Sequence, residues 1–132
     1  MRYKYIAYKY TRRMSQKTPF ASAWESFGSW PSAIVWRPPT DVYETPEELI
    51  IVIELAGVDE DEMAVTLFSD LLIVEGRRKQ QPCTEMNACH QLGIHYGDFR
   101  SEVHIPAPVD SEKVKAEYKN GLLKVTLTKL SR

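Results

Sequence analysis

The sequence predicts an all-β chain: an immunoglobulin-like antiparallel β-sandwich entered through an irregular N-terminal arm. Three observations carry that expectation. From Thr40 onward, apolar residues tend to alternate with polar ones in short runs, the pattern of strands with one buried face. Turn signals separate nearly all of those runs: Thr45-Pro46, Gly57, Ser69-Asp70, Pro106 with Pro108, and Asn120-Gly121. The last is a tight-turn dipeptide whose residues tolerate positive φ, set between Val114–Tyr118 and Leu122–Thr128.

Taken in order, the expected strands are seven. Thr40–Glu44 follows the Pro38-Pro39 pair and stops at Thr45-Pro46. Leu49–Leu55 is apolar at nearly every position, which predicts a central strand covered on both faces, with the arm as the candidate cover. Met63–Phe68 points Val65 and Leu67 inward, and Leu71–Arg77 follows across Ser69-Asp70. Asp98–Ile105 ends at Pro106. Val114–Tyr118 points Val114 and Ala116 inward, and Leu122–Thr128 points Leu123, Val125 and Leu127 inward. Seven short strands at this spacing make a sandwich. Between Arg78 and Tyr96 the pattern lapses, and so long a loop inside a compact domain predicts a function for it. Within it, residues 90–96 have weak strand character, suited to pairing outside their own sheet.

Domain organisation follows composition: an arm over 1–36, a body over 37–129 and a short tail over 130–132. The arm interleaves Tyr3, Tyr5, Tyr8 and Tyr10 with Arg2, Lys4 and Lys9, then turns to Ser, Ala, Pro and large aromatics: Phe20, Trp24, Phe27, Trp30 and Trp36. Phe20, Trp24 and Phe27 are spaced for a short helix around Ala21–Phe27. Rings this large are poor material for a purely solvated tail, so the arm reads as an interaction element, with client surface and subunit packing both open. Tyr-Lys alternation also suits single-stranded nucleic acid, and Met14 offers a second candidate start of translation.

Charge is divided between the two parts. Residues 1–37 hold seven Arg and Lys against one acid, and residues 38–132 hold ten against seventeen, so a net −1 conceals +6 and −7. Arm and body should attract each other, and an acidic body is a poor grip for nucleic acid. The longest strongly apolar run, Leu49–Ile53, is far too short to span a bilayer, and the basic N-terminus lacks the apolar stretch of a secretory signal. Two cysteines, Cys83 and Cys89, do not make a disulfide framework. These features point to a soluble, cytoplasmic protein.

At this point the body resembles the alpha-crystallin domain of small heat-shock proteins, over about residues 37–129. The resemblance rests on Pro39-Thr-Asp-Val-Tyr-Glu-Thr, Glu54-Leu-Ala-Gly-Val before an acidic turn, Leu72-Ile-Val-Glu-Gly-Arg, Tyr96-Gly-Asp-Phe with Ile105-Pro106, and the signature Ala116-x-x-x-Asn120-Gly121-x-Leu123. It implies an ATP-independent molecular chaperone, a holdase of the bacterial and plant type that binds partly unfolded client proteins and prevents their aggregation. It further implies a homodimer that assembles further through the arm, with no cofactor and no small-molecule substrate. The dimer swap strand maps to His90, Gln91, Leu92, Gly93, Ile94, His95 and Tyr96. A groove for clients or for a tail motif maps to Val65, Leu67, Val114 and Ala116, residues that equally suit an ordinary core. Client or oligomer contacts in the arm map to Phe20, Trp24, Phe27 and Trp30.

Two departures from the family pattern stand out. The chain stops at Lys129-Leu130-Ser131-Arg132 without the family's Ile-x-Ile-like tail motif. Many bacterial relatives carry an Arg two residues after the Phe at position 99, where this chain has Ser101, and Arg100 is the cation nearest to stand in.

Other chemistries find weaker support. Cys83, Cys89 and His90, with His95 and His104, lack the spacing of a zinc site, and Asp59-Glu60-Asp61-Glu62 lacks that of an EF-hand, so no metal is expected. Neither a phosphate-cradling Gly-rich loop nor a nucleophile elbow occurs, and the chain does not read as an enzyme. The competing readings are a dedicated co-chaperone interaction module on the same sandwich, or single-stranded nucleic-acid binding through the arm.

Overall fold

The computed structural model describes residues 35–80, 85 and 88–130. The expected strands are present: β1 Thr40–Glu44, β2 Glu48–Glu54, β3 Met63–Phe68, β4 Leu71–Arg78, β5 Gly97–His104, β6 Val109–Lys119 and β7 Leu122–Lys129, with a 3-10 turn at Glu60–Glu62. They form two antiparallel sheets, β1-β2-β7-β6 and β3-β4-β5. Cross-strand pairs Leu49–Leu127, Ile51–Val125 and Ile53–Leu123 fix the register of the larger sheet and point its apolar face inward. Opposite them, Val65, Leu67, Leu72, Val74, Phe99 and Val103 complete one core.

Local chemistry explains the turns. Asn120 (φ 54°) and Gly121 (φ 79°) both occupy the left-handed region, as a two-residue hairpin of the twist-matched type requires. At Gly76 the demand is space. A Cβ there would lie 2.0 Å from the Glu62 carbonyl oxygen and 2.7 Å from the Phe99 ring, so only glycine lets β4 pass.

Three features differ from expectation. Strand β6 starts at Val109 rather than Val114, because a bulge lies between those residues. Val109 opposes Lys129 and Val114 opposes Leu127, and the polar Asp110-Ser111-Glu112 stretch hides the alternation. Strand β2 is not covered on both faces: Leu49, Ile51 and Ile53 are buried, but Ile50 and Val52 are only half-buried. Double cover falls instead on β3, buried from Met63 through Leu67, and on β4 from Leu72 through Gly76. Trp36, the last arm residue by composition, is a core residue packed on Phe99 at 5.5 Å between ring centroids.

Candidate functional site

Strands β3 and β6 end their respective sheets, so among the described residues each pairs on one side only. Val65 and Leu67 on β3 point inward, as do Val114 and Ala116 on β6, and all four are buried in the core. Within the single chain these four side chains are therefore core, and what the two strands leave open is backbone along their outer edges. Strand β1 is the other end of the larger sheet, and Val42 and Tyr43 on it are exposed. A hydrogen bond to the Asp41 carboxylate, then that carboxylate's charge, raises the Tyr43 phenol above its ordinary pKa.

The long loop carries exposed apolar surface. His90 to Tyr96 forms no strand, and Leu92 and Ile94 are 79% and 64% exposed. In an extended segment those two residues share one face. With Gln80, Gln91, Gly93 and Tyr96 they line an open hollow of about 640 Å³. Phe20, Trp24, Phe27, Trp30 and the expected helix at 21–27 lie outside the described residues, as does Cys83. Cys89 is exposed.

One residue holds both ends of that loop. Arg78 closes β4, and its Nε and Nη2 donate to the His95 carbonyl at 2.9 and 2.7 Å, while Nη1 donates to the Ala56 carbonyl at 3.0 Å. Its guanidinium lies 4.4 Å from the Trp36 ring centroid and 5.8 Å from that of Tyr96. Trp36 in turn stacks on His95 at 5.7 Å and donates from Nε1 to the Gly97 carbonyl at 3.3 Å. The point where the arm enters, the start and end of the loop and the turn after β2 thus meet at one cation. Neither Arg78 nor Trp36 was legible as a structural hub. An Arg at a strand end looks like any surface Arg, and a Trp before Pro38-Pro39 looks like more arm.

The remaining candidates are placed as follows. Arg100 Nη1 pairs with the Glu75 carboxylate at 2.7 Å and Nε with Glu102 at 2.7 Å. Ser101 faces the opposite way, fully buried, with its Oγ 3.0 Å from the Thr40 hydroxyl. Arg100 therefore does not replace an Arg at the next position, since adjacent strand residues point to opposite faces. The histidines are dispersed: His95 stacks on Trp36, and His104 sits 3.6 Å from Asp70.

The Hsp20/alpha crystallin family model matches residues 41–132. The chain belongs to the Hsp20/alpha crystallin family. Among relatives of this Hsp20-type chain, spore protein SP21 of Stigmatella aurantiaca is 35% identical over 106 residues, 80% of this chain and 62% of that protein. Small heat shock protein C4 of Rickettsia felis is 30% identical over 95 residues, 72% of this chain and 58% of that protein. The chain thus spans about three-fifths of the length of these relatives. Heat shock protein 16.0 from Schizosaccharomyces pombe superposes with a TM-score of 0.67 at 29% identity, covering 72% of this chain and 75% of that one. HSP18.5 from E. histolytica gives 0.65 at 30% identity, covering 74% and 92%. In this Hsp20-type chain the signature residues are folding devices: Ala116 and Leu123 fill the core, and Asn120-Gly121 makes the hairpin turn.

Among the described residues no helix is long and apolar enough to cross a membrane.

Proposed function

We propose that this chain is an ATP-independent holdase that binds partly unfolded proteins and prevents their aggregation. The observation that carries the reading is the family match over residues 41–132, on a sandwich whose end strands β3 and β6 pair on one side only among the described residues. Unpaired edge backbone accepts an extended segment as an added strand, and neighbouring apolar side chains reward its burial. At about 25 cal/mol per Å², about 400 Å² of apolar contact supplies on the order of 10 kcal/mol before ordering costs. After those costs the affinity is modest and tolerant of sequence, as a holdase needs. Val65, Leu67, Val114 and Ala116 form the floor beneath the β3 and β6 edges, and Phe20, Trp24, Phe27 and Trp30 supply further client or subunit contacts. The chain acts as a cytoplasmic protein without cofactor or enzymatic turnover.

The active unit is a homodimer in which His90–Tyr96 adds as a strand to a partner. Exposed Leu92 and Ile94 support this, as does the open edge of β1 with its exposed Val42 and Tyr43. A swap joins two edges that would otherwise invite aggregation.

The test is light scattering from two unrelated heat-labile proteins warmed with the full chain in the absence of ATP. Suppression of both is expected, and protection of neither sinks the holdase reading. For the dimer, Leu92→Asp with Ile94→Asp is expected to give a folded monomer by size-exclusion chromatography with light scattering. A dimer that persists removes the swap.

A further inference from the structure

Two sheets have four edges, and the fourth is β5. Successive residues of a strand turn their backbone groups to opposite sides. Arg100 turns its N–H away from β4 and toward Trp36, so Asp98, Glu102 and His104 present N–H and C=O to that same outer side.

This edge is self-complementary. Two copies of β5 laid antiparallel, with Ser101 opposite Ser101, would set Arg100 against Glu102 and Asp98 against His104. Opposite charges in facing positions stabilise a strand pair, and bare edge backbone supplies its hydrogen bonds. Left open, β5 is a site for a second copy of this chain.

Three residues stand in the way. Trp36 lies parallel to β5: its N–H donates to the Asp98 carbonyl at 3.1 Å, and the Arg100 N–H donates to the Trp36 carbonyl at 3.0 Å. The buried indole anchors that rung by packing on Phe99, lying against the Arg78 guanidinium and donating to the Gly97 carbonyl. A parallel ladder would continue with an N–H from residue 38 to the Arg100 carbonyl, and from the Glu102 N–H to the carbonyl of residue 38. Residue 38 is proline and has no N–H to give. Its carbonyl accepts from the Thr40 hydroxyl at 2.9 Å instead, and the Pro39 carbonyl accepts from the Glu54 N–H of the other sheet at 3.0 Å. The chain thus leaves β5 after one rung and crosses over to begin β1. At the crossing, the exposed Arg37 brings Nη2 to 3.5 Å from the Glu102 carbonyl. So long a contact counts for little as a hydrogen bond. Its weight is a cation held where an added strand would lie, and burying that charge unpaired is costly.

We propose that Trp36, Arg37 and Pro38 form a fixed guard that closes the β5 edge to strand addition by a second copy of this chain. Strand β1 shows the contrast. Along its edge stand the exposed Val42 and Tyr43, apolar surface that rewards an added strand, whereas β5 meets a bound rung, a proline and a cation. The guard thereby selects which edges pair. It concerns contacts between copies at β5 alone, and its test involves neither a client nor the segment that pairs with β1.

The experiment uses the full chain with p-benzoylphenylalanine in place of the exposed His104. Equal amounts of isotopically light and heavy chains are unfolded together, refolded, irradiated and mapped by mass spectrometry. With the guard intact, no light–heavy adduct joining position 104 to β5 of another chain is expected, and finding one overturns the proposal. Trp36→Ala with Arg37→Ala removes the anchor and the cation, and the β5–β5 adduct is expected to appear. Since Trp36 is a core residue, Arg37→Ala alone is run beside it; this variant leaves the core whole and is expected to give the same adduct in lower yield. No adduct from either variant, with hydrogen exchange showing β2 and β4 still protected in Arg37→Ala, overturns the proposal. Single-residue amide exchange on the unsubstituted chain is the second readout. The Arg100 amide is expected to exchange about tenfold more slowly than those of Glu102 and His104, the worth of one hydrogen bond. Equal exchange at all three, fast without a rung or slow under an added strand, overturns the guard as well.

Discussion

The two sheets share one core but present different faces to the outside. The larger sheet, β1-β2-β7-β6, is an ordinary amphipathic layer whose outer side carries Asp41, Tyr43, Lys115, Glu117 and Lys124 around the half-buried Ile50 and Val52. The smaller sheet, β3-β4-β5, buries Ala64, Thr66, Ile73 and Glu75 on its outer side as well. Alternation reports the first kind of sheet faithfully, because charge marks the wet side. It fails on the second, because Ala and Thr are compatible with either side and nothing in the pattern says that this side is buried.

Substitutions on the two outer faces break or sharpen that contrast. Ile73→Ala is expected to cost about 3 kcal/mol, as in a closed core, and Val52→Ala on the open face about 1 kcal/mol or less. Urea unfolding of both variants measures the gap, and equal losses would mean that the two faces are alike. A smaller effect is expected at the loop root. Arg78→Lys keeps the charge but loses the forked donation to the His95 and Ala56 carbonyls and the flat contact with Trp36. The expected loss is about 1–2 kcal/mol, with faster hydrogen exchange around 95–97. Unchanged exchange there would reduce Arg78 to a bystander. Smallest, and opposite in sign, is Thr66→Val. Removing a buried hydroxyl without a partner should stabilise by about 1 kcal/mol. Destabilisation would reveal a partner for that hydroxyl.

The candidate surfaces were legible to different degrees. His90–Tyr96 stood out because a lapse in period flanked by strong strands is itself a signal. Val65, Leu67, Val114 and Ala116 were found by alternation, which picks out inward-facing residues but cannot separate a core position from the floor of a groove. Both descriptions hold apolar side chains at the same spacing. Ser101 shows the opposite limit: motif comparison marked the position as unusual, but only the fold reveals its hydroxyl facing Thr40 inside the sandwich.

By itself the amino-acid sequence determined the seven strands, their inward residues and the β6–β7 turn. Each depends on a period of two or on the backbone freedom of residues such as Asn120 and Gly121, which are properties of neighbours in the chain. The tertiary structure alone decided that Trp36 belongs to the core, that Arg78 ties the ends of the long loop, that Gly76 must lack a side chain, and that β3 and β4 are buried on both sides. Those facts arise where segments distant in sequence come within a few ångströms, as when Trp36 meets Gly97 and Phe99, or Gly76 meets the Glu62 carbonyl. No local pattern encodes such meetings, because the energy that selects them belongs to the packed whole.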